Sequence, residues 1–529
     1  MFANLIDYPY PSQRRIVSGK RCAAATSQSL ATLAGMEMFW AGGNAVDAAV
    51  AMAIALTVVE PTSNGIGSDA FAIVWDGKLH GLNASGKSPQ NLNLDCFPTQ
   101  TIPNYGWLTV TVPGIVSAWQ SLWQRWGSLP FEQLFTPAIR YAEEGFPISP
   151  VTAQAWKRAE SAYLSLKAPE FEPFKSVFFP HNRAPKAGEI WASPLHGKTL
   201  REIARSGGES FYRGKLAQQI ANFASATNGL LTEADLADHQ AEWVAPISTD
   251  YHQLTVWELP PNTQGLAALM ALNILEGFDL KSHPRDCDLV YHWQIEAMKL
   301  AFADVQRYAA DSRFLEFPVT QLLSKSYAAQ RRQLIQQQAI QVPESGISQG
   351  GTVYLVAADG DLMVSLIQSN YMGFGSGILV PETGIALQNR ACGFTLESGH
   401  PNQLAPGKRP FHTIIPGFLT QDGQPLGPFG VMGGHMQPQG HLQVVVNLAD
   451  YAMNPQVALD APRWQWLRKN RLLLETSVPQ EIAQKLAQRG HEIHISPSHH
   501  FGKGQMILRH GEALLAASEP RADGVALAF

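Results

Sequence analysis

Cysteine is scarce. The four in 529 residues, Cys22, Cys96, Cys287 and Cys392, are far apart and form no CxxC pair. That excludes a disulfide framework and a thiolate zinc site, and it predicts reduced thiols. Basic excess is also missing: the formal net charge is −5, with no long Lys/Arg run, which argues against a nucleic-acid partner. Long apolar runs are absent too. The longest, 48–59, is well short of the roughly 18 residues a membrane helix needs, so no membrane partner is expected. The first fifteen residues, "MFANLIDYPYPSQRR", lack a basic start followed by an apolar core and predict no secretory signal. A soluble, cytoplasmic protein is the expectation.

What is present has the composition of a large globular chain, 45% hydrophobic and 16% charged. The segment 42–60, "GGNAVDAAVAMAIALTVVE", is apolar on nearly every helical face and belongs between layers. A glycine loop follows it, then a strand at 70–75, an Asp76-Gly77 turn and a return strand. Helices are predicted at 131–144, 216–224, 264–275 and 290–308. From Arg331 the chain becomes polar with Pro and Gly, and 331–351 reads as a flexible connector. After it come strands at 353–358, 362–367, 384–388, 414–418 and 431–433, with a helix at 439–451. No internal repeat is evident. Helices and hairpins in both parts predict a layered α/β architecture with antiparallel sheets.

One junction stands out. In "SQGGTVYLVAADGDLMVSLIQSN" a glycine loop ends where a β-hairpin begins, at Thr352. Asp359-Gly360 is a strong two-residue hairpin signal. Turning there pairs Val356 with Met363, Tyr354 with Ser365 and Thr352 with Ile367, which sets Thr352 at the open end beside Gln368 and Asn370. A lone strand-starting threonine is ordinary. The preceding Gly350-Gly351 changes its meaning, because it lets the backbone bend and leaves the Gly351 carbonyl unshielded. The Thr352 hydroxyl can attack that carbonyl, and water then splits the ester. The product is an N-terminal threonine whose α-amine, with a reference pKa of about 7.7–8.0, serves as the base for its own hydroxyl.

These residues, together with "GGNAVDAAVA", "GIGSDAFAIVWDG", "VTVPGIVSAW", "ELPPNTQG", "PGKRPFHTIIPG", "VMGGHMQPQGH" and "NPQVALDAPRW" in order along the chain, resemble the γ-glutamyltranspeptidase family of N-terminal-nucleophile hydrolases. The resemblance implies a four-layer αββα sandwich made as a precursor. It implies cleavage between Gly351 and Thr352 into a large chain, 1–351, and a small chain, 352–529, that form one intertwined heterodimer. Thr352 is then the nucleophile, and Gly433-Gly434 match the pair whose N–H groups form the oxyanion hole. Gln368 and Asn370 match the positions that bond the nucleophile and the substrate. The expected substrate is a γ-glutamyl or related acyl amide, the acceptor is water or an amine, and no cofactor or metal is implied.

The sequence departs from the family where the amino-acid head of the substrate binds. The usual arginine position, four residues before Pro89, is Ser85, with Lys87 the nearby cation. A Gln and an Asp three residues apart become Arg390 and Gly393. A serine pair becomes His412-Thr413, and the residue before the nucleophile, often acidic, is Gly351. A cation in place of an ammonium partner resembles the acylase-like branch, which acts on dicarboxylic acyl amides. Arg390 read alone is equally a salt-bridging arginine. A function of another class also fits: an unprocessed binding protein that keeps the fold without the activity.

Three further signals are set aside as motifs. "GIGSDA" fits G-x-G-x-x-A but has a loop before it and a strand after it. In "GFGSG" the serine is off centre for a nucleophile elbow. In "HEIHISPSHH" the histidines are spaced for opposite strand faces and read as packed or solvated.

Overall fold

The computed structural model describes residues 8–11, 14–341 and 351–529. Two seven-stranded antiparallel sheets form its centre. One runs Val525–Ala528, Cys22–Thr26, Gly351–Asp359, Leu362–Tyr371, Asp69–Trp75, Leu79–Asn83, Glu242–Val244. The other runs Val17–Gly19, Ala513–Ser518, Lys503–His510, Gln424–Met432, Gly417–Gln421, Leu254–Glu258, Ile247–Tyr251. Strand alternation sorts the second sheet's side chains into two cores. Phe418, Ile507 and Ala516 join the core around the first sheet, while their neighbours Leu419, Leu508 and Ala517 pack under the helices on the other face. Trp75 stacks on Phe418 from sheet to sheet at 6.2 Å. The αββα expectation therefore holds.

The helix Ala45–Val59 covers the outer face of the first sheet and is buried along all 15 residues. Its apolar surround leaves no solvent side, as the sequence implied. Asn44 caps it and Asp47 completes the capping box. Against the second sheet lie Gly265–Leu275 and Met436–Ala449, with Asp288–Tyr308 packed on Gly265–Leu275. No described helix is long and apolar enough to cross a membrane.

The predicted helices appear with small shifts, except that 131–144 begins as a 3-10 turn, Phe131–Phe135, before the helix Thr136–Glu144. The strand expected at 384–388 shrinks to Ile385–Ala386, and the one at 414–418 moves to Gly417–Gln421. Residues 342–350 of the connector, Gly350 included, lie outside the described residues. Its earlier part is pinned rather than loose. His292 Nε2 bonds the Gln336 carbonyl at 2.7 Å, the Ala339 N–H donates to the Arg489 carbonyl at 2.7 Å, and the Ile340 N–H donates to Glu296 at 2.7 Å.

The hairpin register also differs from expectation. Asp359 pairs with Leu362, so Gly360-Asp361 forms the turn and Gly360 takes φ +38°. Val356 faces Ser365 and Tyr354 faces Ile367. The turn needs a positive φ, and moving Gly360 to its first position supplies one. The shift carries Thr352 past Ile367 towards the far end of the partner strand.

Candidate active site

Gly351 pairs with Tyr371 and Val353 with Gln368, so one residue, Thr352, opposes two, Ser369 and Asn370. This bulge breaks the ladder where the nucleophile sits and re-aims the side chains around it. Thr352 is buried. Its hydroxyl lies 3.3 Å from Ser369 Oγ, and the Ser369 hydroxyl donates to the Gly351 carbonyl at 2.5 Å. Ser369 thus bridges the candidate nucleophile and the carbonyl of the bond it would break. From the first turn of Met436–Ala449, Gln437 Nε2 approaches Thr352 Oγ1 at 3.5 Å while its Oε1 accepts from the Ile415 N–H.

Gln368 and Asn370 do not meet the hydroxyl. They flank Ser369, so the pleat turns them to the other face. Gln368 donates to the Ala53 carbonyl and to Asn64, both at 2.7 Å. Asn370 accepts from Ser68 at 2.7 Å and donates to the Phe374 carbonyl at 3.1 Å. Both residues brace the walls of the site. Ser369 was missed because the expected register put Ile367 across from Thr352.

Gly433 and Gly434 end the strand Gln424–Met432 with φ +133° and +62° and lead into the Met436–Ala449 helix. A helix N-terminus presents unpaired N–H groups and a partial positive charge, which suits a developing oxyanion. Gln264 fixes the turn by donating to the Gly434 carbonyl at 2.8 Å. A cavity of about 450 Å³ opens over the site, with Thr352, Gly351 and Gly433 in its lining. The Pro150–Leu164 helix supplies one wall and residues 499–503 another.

The expected head-group residues separate into two sets. Lys87 is outside: its ammonium pairs with Asp238 at 3.1 Å on the surface, where it stays hydrated. Ser85 is tied to Asn83 at 2.7 Å. Arg390, His412 and Thr413 do come together, buried and not in the lining of the cavity over Thr352, around a partner the sequence reading overlooked, Asp69. The Arg390 guanidinium is fully buried, donates to Thr413 Oγ1 at 3.0 Å and lies over the Tyr371 ring at 4.3 Å. Its Nε is 3.9 Å from Asp69, and neither Nε nor Nη2 makes a hydrogen bond among the described residues. Asp69 Oδ2 is 3.1 Å from His412 Nε2, and its Oδ1 accepts from the Gly86 and Gly114 N–H groups. Burial pushes the Asp69 carboxyl up to about 7 against the pull of Arg390. Burial also pulls Arg390 down to about 10, with Asp69 opposing that fall. Burial, then Arg390, holds His412 well below its usual range and His435 down at about 4, so both rings are neutral near pH 7. Gly393, at the former acidic position, has no side chain to offer.

A metal reading finds one cluster among the described residues, His292, Glu296 and His491. It belongs to the clamp on residues 336–340. His292 and His491 bond each other at 2.9 Å, and the Lys299 ammonium sits 2.7 Å from Glu296. A cation already fills the charge role there. His494 is exposed beside Glu492, as packed-or-solvated histidines should be.

Comparison with known proteins agrees with this fold. The sequence profile of the gamma-glutamyltranspeptidase family matches residues 31–529. A glutathione hydrolase-like YwrD proenzyme of Bacillus subtilis (strain 168) is 34% identical over 97% of this chain and 99% of its own. An oxamate amidohydrolase proenzyme of Klebsiella pneumoniae is 33% identical over 96% of this chain and 98% of its own. Among solved structures, a cephalosporin acylase from Bacillus halodurans superposes with a TM-score of 0.95 at 51% identity, covering 100% of this chain and 99% of that one. The chain belongs to the gamma-glutamyltranspeptidase family.

Proposed function

We propose that the protein is a self-processing N-terminal-threonine amidohydrolase that cleaves acyl amides through an ester on Thr352. The observation that carries this reading is the Ser369 hydroxyl, bonded to the Gly351 carbonyl at 2.5 Å and 3.3 Å from the Thr352 hydroxyl. In the precursor, Ser369 polarises the Gly351 carbonyl as Thr352 Oγ adds to it. The C–N bond of the peptide breaks, the nitrogen takes a proton, and an ester to Thr352 remains. Breaking the C–N bond frees the Thr352 amine, and water then hydrolyses the ester, releasing the Gly351 carboxylate and regenerating the Thr352 hydroxyl. Strands from both sides of the break share one sheet, Cys22–Thr26 pairing with Gly351–Asp359. The large chain 1–351 and small chain 352–529 therefore stay together as a heterodimer.

In the processed enzyme the α-amine takes the Thr352 hydroxyl proton and Oγ attacks the substrate carbonyl. The Gly433–Gly434 turn stabilises the oxyanion, a contribution typically of roughly 10²–10³ in rate per donor. The amine half leaves with the proton, and water or a second amine resolves the ester. A purely binding role is disfavoured by the bulge that sets the Thr352 hydroxyl beside Ser369, the donor to the Gly351 carbonyl.

For the acyl group, Nε and Nη2 of buried Arg390, which make no hydrogen bond among the described residues, favour an anionic terminus such as a dicarboxylic acyl chain. Asp69 favours a second reading, a γ-glutamyl group, because its carboxylate offers an ammonium a partner. The test compares kcat/KM for glutaryl and γ-glutamyl anilides sharing one leaving group. A glutaryl preference supports the first reading and a γ-glutamyl preference the second. Turnover of neither by a chain that stays whole would refute the enzyme.

A further inference from the structure

The acyl half and the amine half of the substrate face different surroundings. The acyl group remains on Thr352 after the first step, while the amine must leave through the mouth of the cavity. That mouth has an unusual charge. Arg158, on the exposed side of Pro150–Leu164, lines it, together with His499, His500 and Lys503 from across the opening. Among the described residues, no aspartate or glutamate lines the cavity. Lys503 is partly answered by Glu60 at 3.5 Å. Arg158 pairs with no carboxylate among the described residues, and its neighbours across the gap are the two histidines, whose rings lie 4.0 Å apart.

A solvent-exposed guanidinium without a carboxylate partner among the described residues, opposite two imidazoles, can pair with an incoming anion. Burial lowers Arg158, and burial with His500 and then Arg158 holds His499 down at about 4. Each group resists further positive charge, and one bound carboxylate would relieve all of them. The guanidinium fork suits a carboxylate, and a histidine N–H can donate to the same group.

We propose that this mouth is a carboxylate subsite for the amine half of the substrate, with Arg158 as the pairing group and His499, His500 and Lys503 completing it. The preferred leaving group, and any preferred amine acceptor, then carries a carboxylate within a few bonds of the nitrogen. The assignment of this mouth to the amine half rests on the Thr352 reading. The binding it describes does not need turnover.

The experiment uses the purified full-length protein and two amines that anilide hydrolysis would release, 5-amino-2-nitrobenzoate and 4-nitroaniline, with Kd measured by calorimetry. The carboxylated amine should bind at least about tenfold tighter, as expected for a charge-assisted pair. Arg158→Ala should bring its Kd to the level of 4-nitroaniline, Arg158→Lys should keep part of the advantage, and Arg158→Glu should abolish binding. Equal affinity of the two amines for the wild type, or an unchanged Kd in Arg158→Glu, would overturn the subsite. A chain that never splits would count against Thr352 and leave this result readable.

Discussion

Removing one hydroxyl, in Ser369→Ala, probes the alignment at the junction. A serine hydroxyl has one proton to donate and two lone pairs. All are used: it donates to the Gly351 carbonyl at 2.5 Å, and it faces the Thr352 hydroxyl at 3.3 Å and the Tyr371 N–H at 2.8 Å as acceptor. Alanine removes a donor aimed at an oxygen that becomes an oxyanion, a loss of roughly 10²–10³ in rate where such donors have been deleted. It also removes the Ser369 acceptor 2.8 Å from the buried Tyr371 N–H, a lost hydrogen bond of about 0.5–1.5 kcal/mol. Cleavage should therefore slow by about two orders of magnitude and Tm should fall. Ser369→Thr, which keeps the hydroxyl, should restore much of the rate. The assay follows precursor and fragments on denaturing gels from the time of purification. Splitting of Ser369→Ala within about threefold of the wild-type rate would refute the role given to Ser369, because a donor on the reacting carbonyl is worth far more.

Gly433→Ala places a Cβ at a φ of +133° and 3.1 Å from Gly502 Cα, so turnover should drop by roughly 10²-fold with the far-UV circular dichroism unchanged; normal turnover would remove the glycine turn from the oxyanion site. Asp69 titrates near 7, protonated and neutral below that pH and anionic above it. Above 7 it offsets Arg390, so KM for a glutaryl anilide should rise severalfold through that pH, and Asp69→Asn should flatten the profile. The α-amine should appear separately as a rise of kcat with pH near about 7.7–8.0; a KM profile unchanged in Asp69→Asn would dissociate Asp69 from acyl recognition. Arg390→Gln should narrow any glutaryl preference by about an order of magnitude, as loss of a charge-assisted pair would; unchanged rates on both anilides would make Arg390 only an anchor for Thr413.

Much of this was legible in local sequence. The buried helix announces itself in "GGNAVDAAVAMAIALTVVE", where no face is polar and Asn44 stands ready to cap. The junction at Thr352 was readable because a glycine loop and a hairpin meet there. Ser369 was not, since its place depends on a bulge and on a turn displaced to Gly360-Asp361, and a register error moves every partner along the strand. Asp69 was hidden for another reason: it comes from a strand more than three hundred residues away from Arg390, and only folding of the 3-10 turn Arg390–Gly393 against that strand's start sets them 3.9 Å apart. Lys87 was misplaced because sequence proximity to Ser85 says nothing about which way a long, hydrated side chain leaves the surface.

The most direct measurement is the intact mass and N-terminal sequence of the purified protein beside its Thr352→Ala variant. The wild type should give two fragments, the smaller beginning Thr352-Val353-Tyr354, and the variant a single chain of the full 57.8 kDa. A variant that still splits between residues 351 and 352, or a wild type that remains whole yet turns over substrate, would contradict Thr352 as the nucleophile of both reactions.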